Sequence, residues 1–216
     1  DEQRYQVIAV SSPLGGDGKT TLAANLAASF ALSGHSVVVI SADLRRATID
    51  GLFGAQSGPP GLTDLLLARQ RDERSTSGSD EATSLSSLLR ETPVDGLQLL
   101  GAGAATSQPA ELLASPQFRG IVGELRHDFE VVIIDSPPAL VADALLLSRV
   151  SDATILVAGI GRTTRPSLAN AVERFRAARA PLLGVVANRA GAPGSGYGYY
   201  GNAYSSTRRT DEPVDS

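Results

Sequence analysis

The sequence predicts an α/β protein with a doubly wound, mainly parallel sheet and helices on both faces. Short apolar runs of strand length alternate with segments of helical periodicity along most of the 216 residues. Several of these runs are apolar at every position, which is typical of strands buried on both faces in a parallel sheet. The chain has no cysteine, and its length allows a substantial core without disulfides.

The first strand is predicted at 5–10 and runs into a glycine-rich turn. The next segment, 20–33, carries Leu22, Leu26 and Phe30 at helical spacing, so it is predicted as a helix with that stripe facing the core. A second strand, entirely apolar, follows at 37–40.

The rest of the chain repeats this alternation. A short helix at 61–69 places three leucines inward, and a helix at 116–127 spaces four apolar residues for one face. Further helices are predicted at 141–150 and 166–179. The remaining strands are predicted at 97–100, 131–134, 154–158 and 182–187.

Two segments lack this pattern. Residues 71–84 are polar and charged, which favours a mobile excursion between elements. Residues 191–216 are rich in Gly, Ser and Tyr and then charged, which favours a disordered tail. The predicted organisation is therefore one domain at 1–190 and a flexible tyrosine-rich tail at 191–216.

Composition excludes several classes of function. The absence of cysteine rules out thiolate metal sites and a cysteine nucleophile, and two histidines leave little for a histidine metal cage. A net charge of −4 argues against a nucleic-acid partner, and no apolar run reaches membrane-spanning length. The chain begins at Asp1 and contains no methionine, which favours a piece of a longer protein.

The turn after the first strand has the composition of a phosphate-binding loop. It reads Ser-Ser-Pro-Leu-Gly-Gly-Asp-Gly-Lys-Thr-Thr over 11–21 and leads directly into a helix. Its glycines allow backbone N–H groups to surround a phosphate at the positive end of the helix dipole. Lys19, the only lysine of the chain, would reach the β- and γ-phosphates, and the Thr20 hydroxyl would bind Mg²⁺. The sequence therefore predicts a nucleotide site.

Two aspartates follow strands that belong to the same predicted sheet. Asp43 comes soon after the strand at 37–40, and Asp135 ends the strand at 131–134. Carboxyl ends of parallel strands form the ligand crevice of a doubly wound sheet. Oxygen ligands suit Mg²⁺, so Thr20, Asp43 and Asp135 are the predicted metal ligands.

At this point the sequence resembles the bacterial tyrosine (BY) kinases of capsular and exopolysaccharide export and their non-catalytic relatives. These kinases have the fold of phosphate-loop nucleoside triphosphatases. The resemblance rests on five segments that follow the family's motifs: 12–25, 42–46, 108–113, 134–138 followed by Ala142-Asp143, and 184–188. It also rests on four of the five tyrosines, which fall within eight residues: Tyr197, Tyr199, Tyr200 and Tyr204.

The resemblance implies an ATP- and Mg²⁺-dependent tyrosine autokinase whose substrate is that tyrosine cluster. It implies that Lys19, Asp43 and Asp135 are catalytic and that Asn188 contacts adenine. The nucleotide-binding set is completed by the loop: Gly15, Gly16, Asp17, Gly18, Lys19, Thr20 and Thr21. It also implies a ring-like homo-oligomer that phosphorylates in trans, a transmembrane activator or fused membrane segment, a cognate phosphatase, and a place at the cytoplasmic face of the inner membrane.

Two other functions stay open, one because the sequence departs from the kinase pattern and one because the fold is shared. Ser41 stands where the family's second acidic motif normally begins with aspartate, which favours a weak kinase or an ATP-binding scaffold of chain-length control. A partitioning-type switch ATPase shares the fold, but Leu14 occupies the position of its signature lysine.

Overall fold

One mixed sheet runs through the part of the chain that the computed structural model describes, residues 5–55, 58–73 and 84–190. Its strands are, in chain order, β1 (Val7–Ser11), β2 (Val37–Ser41), β3 (Leu89–Glu91), β4 (Leu97–Leu100), β5 (Val131–Asp135), β6 (Ala153–Gly159) and β7 (Leu182–Asn188). Their spatial order is β3-β4-β2-β5-β1-β6-β7. Only the short β3 is antiparallel to its neighbour, so the predicted mainly parallel sheet is confirmed.

Helices cover both faces of the sheet, as predicted. They are α1 (Lys19–Leu32), α2 (Ile49–Leu52), α3 (Leu62–Asp72), α4 (Leu85–Leu88), α5 (Pro109–Ala114), α6 (Pro116–Asp128), α7 (Ala142–Ser148) and α8 (Arg165–Ala177). Helices α1 and α2 pack on one face, and α3 to α8 pack on the other. Within the described ranges, no helix is both long and apolar enough to cross a membrane.

Every predicted strand and helix is present, with ends displaced by three residues or fewer. Four elements have no counterpart in the prediction: α2, β3, α4 and α5. They are three to six residues long, which is too short to produce a readable period. Of the predicted excursion at 71–84, Arg71 and Asp72 belong to α3, and residues 74–83 lie outside the described residues, as does the predicted tail at 191–216.

The core-facing stripe of α1 differs from the prediction. The buried apolar residues of this helix are alanines: Ala23, Ala24, Ala27 and Ala31. The predicted stripe of Leu22, Leu26 and Phe30 is only partly buried and packs along the edge of the same core. Small side chains let the helix lie close to the sheet, which holds its first turn directly above the ends of β1 and β5.

Strand register explains why distant motifs meet. Asp135 in β5 is the Cα partner of Val10 in β1 on one side and of Ser41 in β2 on the other. Three segments therefore leave the sheet side by side at one edge: the phosphate loop after β1, residues 42–46 after β2 and residues 136–138 after β5. This is the edge at which doubly wound sheets bind ligands.

Candidate nucleotide site

The phosphate loop joins β1 to α1, and its backbone depends on glycine. Gly16 has φ +85° and Gly18 has φ +100°, both in the left-handed region that other residues rarely adopt. Gly18 is also the N-cap of α1, and its carbonyl accepts the first helical bond from Leu22 N at 2.9 Å. The loop therefore turns directly into the helix N-terminus, the arrangement that binds phosphate.

Lys19 lies at the centre of the site. Its Nζ is 2.9 Å from Oδ2 of Asp43 and 3.7 Å from Oδ1 of Asp135, and the side chain is largely buried. Nζ also donates a hydrogen bond of 3.2 Å to the Thr20 hydroxyl. The structure therefore brings together the lysine, the hydroxyl and the two carboxylates that the sequence placed in one site.

Asp135 is the most deeply buried charged group of this cluster. Burial raises its pKa to about 6, and the repulsion from Asp43 adds to this, whereas Lys19 and the bond from Thr20 lower it. Its Oδ1 accepts a 3.2 Å hydrogen bond from the Thr20 hydroxyl, and its Oδ2 is buried without a hydrogen-bond partner. A buried carboxylate oxygen without a partner, next to the Thr20 hydroxyl, fits the oxygen ligands that Mg²⁺ prefers.

Asp17 and Asn188 hold the outer side of the loop. The Asp17 carboxylate is fully buried and accepts a 3.0 Å hydrogen bond from Leu14 N. Asn188, at the end of β7, donates from Nδ2 to the carbonyl of Asp17 at 2.9 Å. The Asp17 side chain therefore braces the loop, and Asn188 ties the loop to the last strand.

A cavity of about 420 Å³ opens beside the loop, within the range of small-molecule sites of about 300–1,000 Å³. Asp17 and Asn188 of the predicted nucleotide-binding set do not line it, and neither does the predicted metal ligand Asp135. Its lining is Gly15, Gly16, Gly18, Lys19, Thr20, Thr21, Asp43, Arg45, Arg46, Thr48, Pro137, Pro138, Val141 and Arg189. A larger cavity of about 520 Å³ lies between α3, α4 and α6, away from every phosphate-loop residue.

For two arginines of this cavity, Arg45 and Arg46, the sequence left open a contact with phosphates or a neighbouring subunit and a solvated turn. Arg45 forms an ion pair with the buried Asp143 of α7, with its Nε 2.8 Å from Oδ2. The backbone N–H of Arg46 donates to Oδ1 of Asp43 at 3.2 Å. Their position two and three residues after Asp43 was the available signal. Asp143 at the start of α7 therefore anchors Arg45 of the segment that follows β2.

Ser41 is the last residue of β2 and lies next to this cluster. It is buried, and its hydroxyl oxygen has no hydrogen-bond partner. Because it pairs in register with Asp135, and alternate residues of a strand share a face, both side chains lie on the face covered by α1. A carboxylate at position 41 would therefore add a third acid next to Asp135.

We predict that Gly18→Ala abolishes nucleotide binding. A Cβ at this position would overlap Nδ2 of Asn188, on a backbone with φ +100°. The substitution would strain the loop and displace the amide that ties it to β7. Calorimetry with ADP measures the loss. Gly123→Ala in α6, where a Cβ meets nothing within 4 Å, is the matched control and should bind ADP like the parent.

The fold and this site define a class: the chain is a phosphate-loop nucleotide-binding protein of the α/β type. In agreement, residues 5–162 match the AAA domain family.

Comparison with individual proteins narrows the class. The chain is 34% identical over 202 residues to the tyrosine-protein kinase YwqD of Bacillus subtilis, covering 93% of this chain and 79% of that one. It is 32% identical over 195 residues to the tyrosine-protein kinase ptk of Acinetobacter johnsonii, covering 90% of this chain but only 25% of that one. The chain belongs to the bacterial tyrosine-protein kinases.

Solved structures agree. The kinase domain of the Escherichia coli tyrosine kinase ETK superposes with a TM-score of 0.76 at 26% identity, covering 92% of this chain and 74% of that one. The septum site-determining protein MinD of Pyrococcus horikoshii, at 23% identity and a TM-score of 0.68, shares the fold alone.

Proposed function

We propose that this chain is an ATP-dependent protein-tyrosine autokinase that phosphorylates its own C-terminal tyrosine cluster: Tyr197, Tyr199, Tyr200 and Tyr204. One observation carries the proposal: Lys19 lies between Asp43 and Asp135 at the first turn of the helix that follows the phosphate loop. The names of the kinase relatives support it. The four tyrosines lie outside the described residues.

Binding of the triphosphate requires a rearrangement of Lys19. Backbone N–H groups of the loop and the positive end of the α1 dipole would receive the phosphates. Lys19 would leave Asp43, now 2.9 Å from its ammonium, and contact the β- and γ-phosphates. Asn188, which is bonded to the loop at Asp17, would contact adenine beside it.

In the transfer step the phenol oxygen of a tyrosine attacks the γ-phosphorus. A bond forms between that oxygen and phosphorus, the bond from phosphorus to the β–γ bridging oxygen breaks, and ADP leaves with the electron pair. The phenol proton passes to Oδ2 of Asp43, the oxygen that Lys19 leaves when it moves to the phosphates. Positioning and charge neutralisation supply most of the catalysis in such a step.

Thr20, Asp43 and Asp135 would hold Mg²⁺. No three His, Asp or Glu side chains converge in the described residues, so the Thr20 hydroxyl and the phosphates would complete the ligand set. When bound, the ion would neutralise charge on the β- and γ-phosphates.

We place this reaction in the control of capsular or exopolysaccharide synthesis, at the cytoplasmic face of the inner membrane. The resemblance to the kinase family supports a ring-like homo-oligomer that phosphorylates in trans, a transmembrane activator that is separate or fused, and a cognate tyrosine phosphatase. The relative from Acinetobacter johnsonii is about four times longer than the matched region, so further segments occur in this family.

Incubation of the chain with Mg-ATP, followed by detection of phosphotyrosine, tests the proposal. We expect phosphotyrosine on the tail. Phosphate release without phosphotyrosine would instead identify a switch ATPase. Nucleotide binding with neither product would identify an ATP-binding scaffold, the second candidate, which the buried Ser41 favours because one expected carboxylate is missing.

Ser41→Asp tests whether the missing carboxylate limits transfer. If the missing carboxylate limits transfer, this variant raises the rate of phosphotyrosine formation, and an unchanged rate shows that Asp43 suffices. Because position 41 is buried beside Asp135, we also expect lower stability without Mg²⁺, by about 1–3 kcal/mol. Ser41→Ala is the control: its hydroxyl makes no hydrogen bond, so the rate and the stability should stay close to those of the parent.

A further inference from the structure

A second, smaller groove lies on the other side of the phosphate loop. Its volume is about 270 Å³, below the range of about 300–1,000 Å³ that is usual for drug-sized ligands. Pro13 and Leu14 form one wall, Ala139 and Leu140 another, and α8 closes it with Pro166 and Asn170 among its residues. Leu140 is 59% exposed at the mouth of this groove.

The groove and the nucleotide cavity share their walls. Pro13 and Leu14 line the groove, and the next residue, Gly15, lines the nucleotide cavity. In the same way Pro138 lines the nucleotide cavity, and the next residue, Ala139, lines the groove. Consecutive Cα atoms are about 3.8 Å apart, so one layer of backbone separates the two spaces at two places. A group seated in the groove would lie next to the bound phosphates.

The chemistry of the groove fits an aromatic ring with a polar tip. Leu14, Ala139 and Leu140 give apolar walls, and Ser167, Asn170 and Arg174 bring polar groups to the α8 side. The Arg174 guanidinium donates to the carbonyl of Leu140 at 3.0 Å, which fixes the backbone under the exposed leucine. Tyrosine combines an apolar ring with a hydroxyl that seeks a hydrogen-bond partner.

The chain itself supplies a segment with this chemistry. Residues 197–204 contain four tyrosines and no charged residue, and they follow the last described residue, 190, by seven positions. Seven residues span at most about 25 Å. Arg189, at the start of this stretch, already lines the nucleotide cavity. The described part of the chain therefore ends beside the nucleotide cavity, and Tyr197 can lie up to about 25 Å from that end.

We propose that this groove, from here on the acceptor groove, docks one tyrosine of residues 197–204 and thereby holds a neighbouring tyrosine of the segment at the nucleotide cavity. The inference deepens the proposed kinase function and rests on it for its meaning. Leu140 would be a specificity-determining residue that acts on the acceptor and not on the nucleotide. A copy of the segment from another chain would bind the same groove.

A binding experiment tests the groove without any transfer. The full chain with the four tail tyrosines changed to serine, saturated with Mg-ADP, is titrated with a fluorescent peptide of residues 195–206. We expect Leu140→Ser to weaken peptide binding at least tenfold and to leave ADP affinity within twofold. Leu32→Ser, at an 80% exposed leucine at the end of α1, is the matched control and should bind the peptide like the parent.

A transfer experiment separates this inference from the proposed function. The same tail-serine chains act as enzyme, and the Lys19→Met chain acts as acceptor. Leu140→Ser should raise the KM for the acceptor at least tenfold with little change in kcat. Equal peptide binding by all three chains, or none by a parent that binds ADP, would overturn the acceptor groove. Leu140-dependent binding without any phosphotyrosine would support the groove and contradict the kinase.

Discussion

Lys19→Met is expected to reduce phosphotyrosine formation by about a hundredfold or more, the loss typical of removing one preorganised charge-stabilising group from a transition state. No other lysine exists in the chain, and Lys19 lies between Asp43 and Asp135, the two carboxylates proposed to be catalytic. Phosphotyrosine detection after incubation with Mg-ATP measures the loss. Full signal from a folded variant would refute the assignment of the site.

The same substitution has a second consequence that provides a control. Without the ammonium, Asp43 and Asp135 face each other uncompensated, and breaking a buried ion pair on one side costs about 3 kcal/mol. The double variant Lys19→Met/Asp43→Asn removes one of the two charges, so it should recover most of that stability. It should not recover transfer. Urea denaturation of both variants, compared with their phosphotyrosine yield, separates the fold from the chemistry.

Asp135→Asn is expected to stabilise the metal-free chain at neutral pH. Burial raises the pKa of Asp135 to about 6 from 3.8, so the folded state binds its proton more tightly than the unfolded state does. The contribution of this group to stability therefore falls as pH rises from about 4 to about 6, and it stays lower above that range. By this linkage the neutral amide should add roughly 2–3 kcal/mol to the free energy of unfolding at pH 7.5 and little at pH 4.

We expect the same substitution to lower nucleotide affinity and kinase activity while it raises the stability of the metal-free chain. Asp135→Asn removes a proposed Mg²⁺ ligand whose Oδ2 lacks a partner, so we expect Mg²⁺-dependent nucleotide affinity and phosphotyrosine formation to fall by about a hundredfold. Urea denaturation in EDTA at the two pH values measures the stability. Asp128→Asn, at an exposed carboxylate of α6, is the control for both effects. Equal stability of parent and variant at pH 7.5 would contradict the burial argument.

The centre of the site could be predicted from the sequence because the fold itself enforces it. Asp43 and Asp135 follow strands that are adjacent in the sheet, and parallel strands end at one edge, so both acids had to meet near Lys19. The spacing of the motifs and the apolar runs of the strands were sufficient to predict that these three residues lie together. The adenine contact of Asn188 and the four acceptor tyrosines are not tested by this geometry and stay predictions.

Other features depend on packing that a periodicity cannot express. The core stripe of α1 was misplaced because leucine ranks above alanine in hydrophobicity, whereas close approach to the sheet selects the smaller side chain. The ion pair of Arg45 with Asp143 joins residues 98 positions apart, and nothing local to either one indicates it. Asp17, predicted to bind nucleotide, is buried and accepts a hydrogen bond from Leu14 N, and the loop sequence alone gives no sign of this contact.

The central claim is that one ammonium and the amides of one loop hold the phosphates of a nucleotide. Isothermal titration calorimetry of the full chain with ADP and ATP in the presence of Mg²⁺ tests it most directly. We predict one nucleotide bound per chain, with heat that disappears in the Gly18→Ala variant. A well-folded parent chain that gives no heat with either nucleotide would contradict the account.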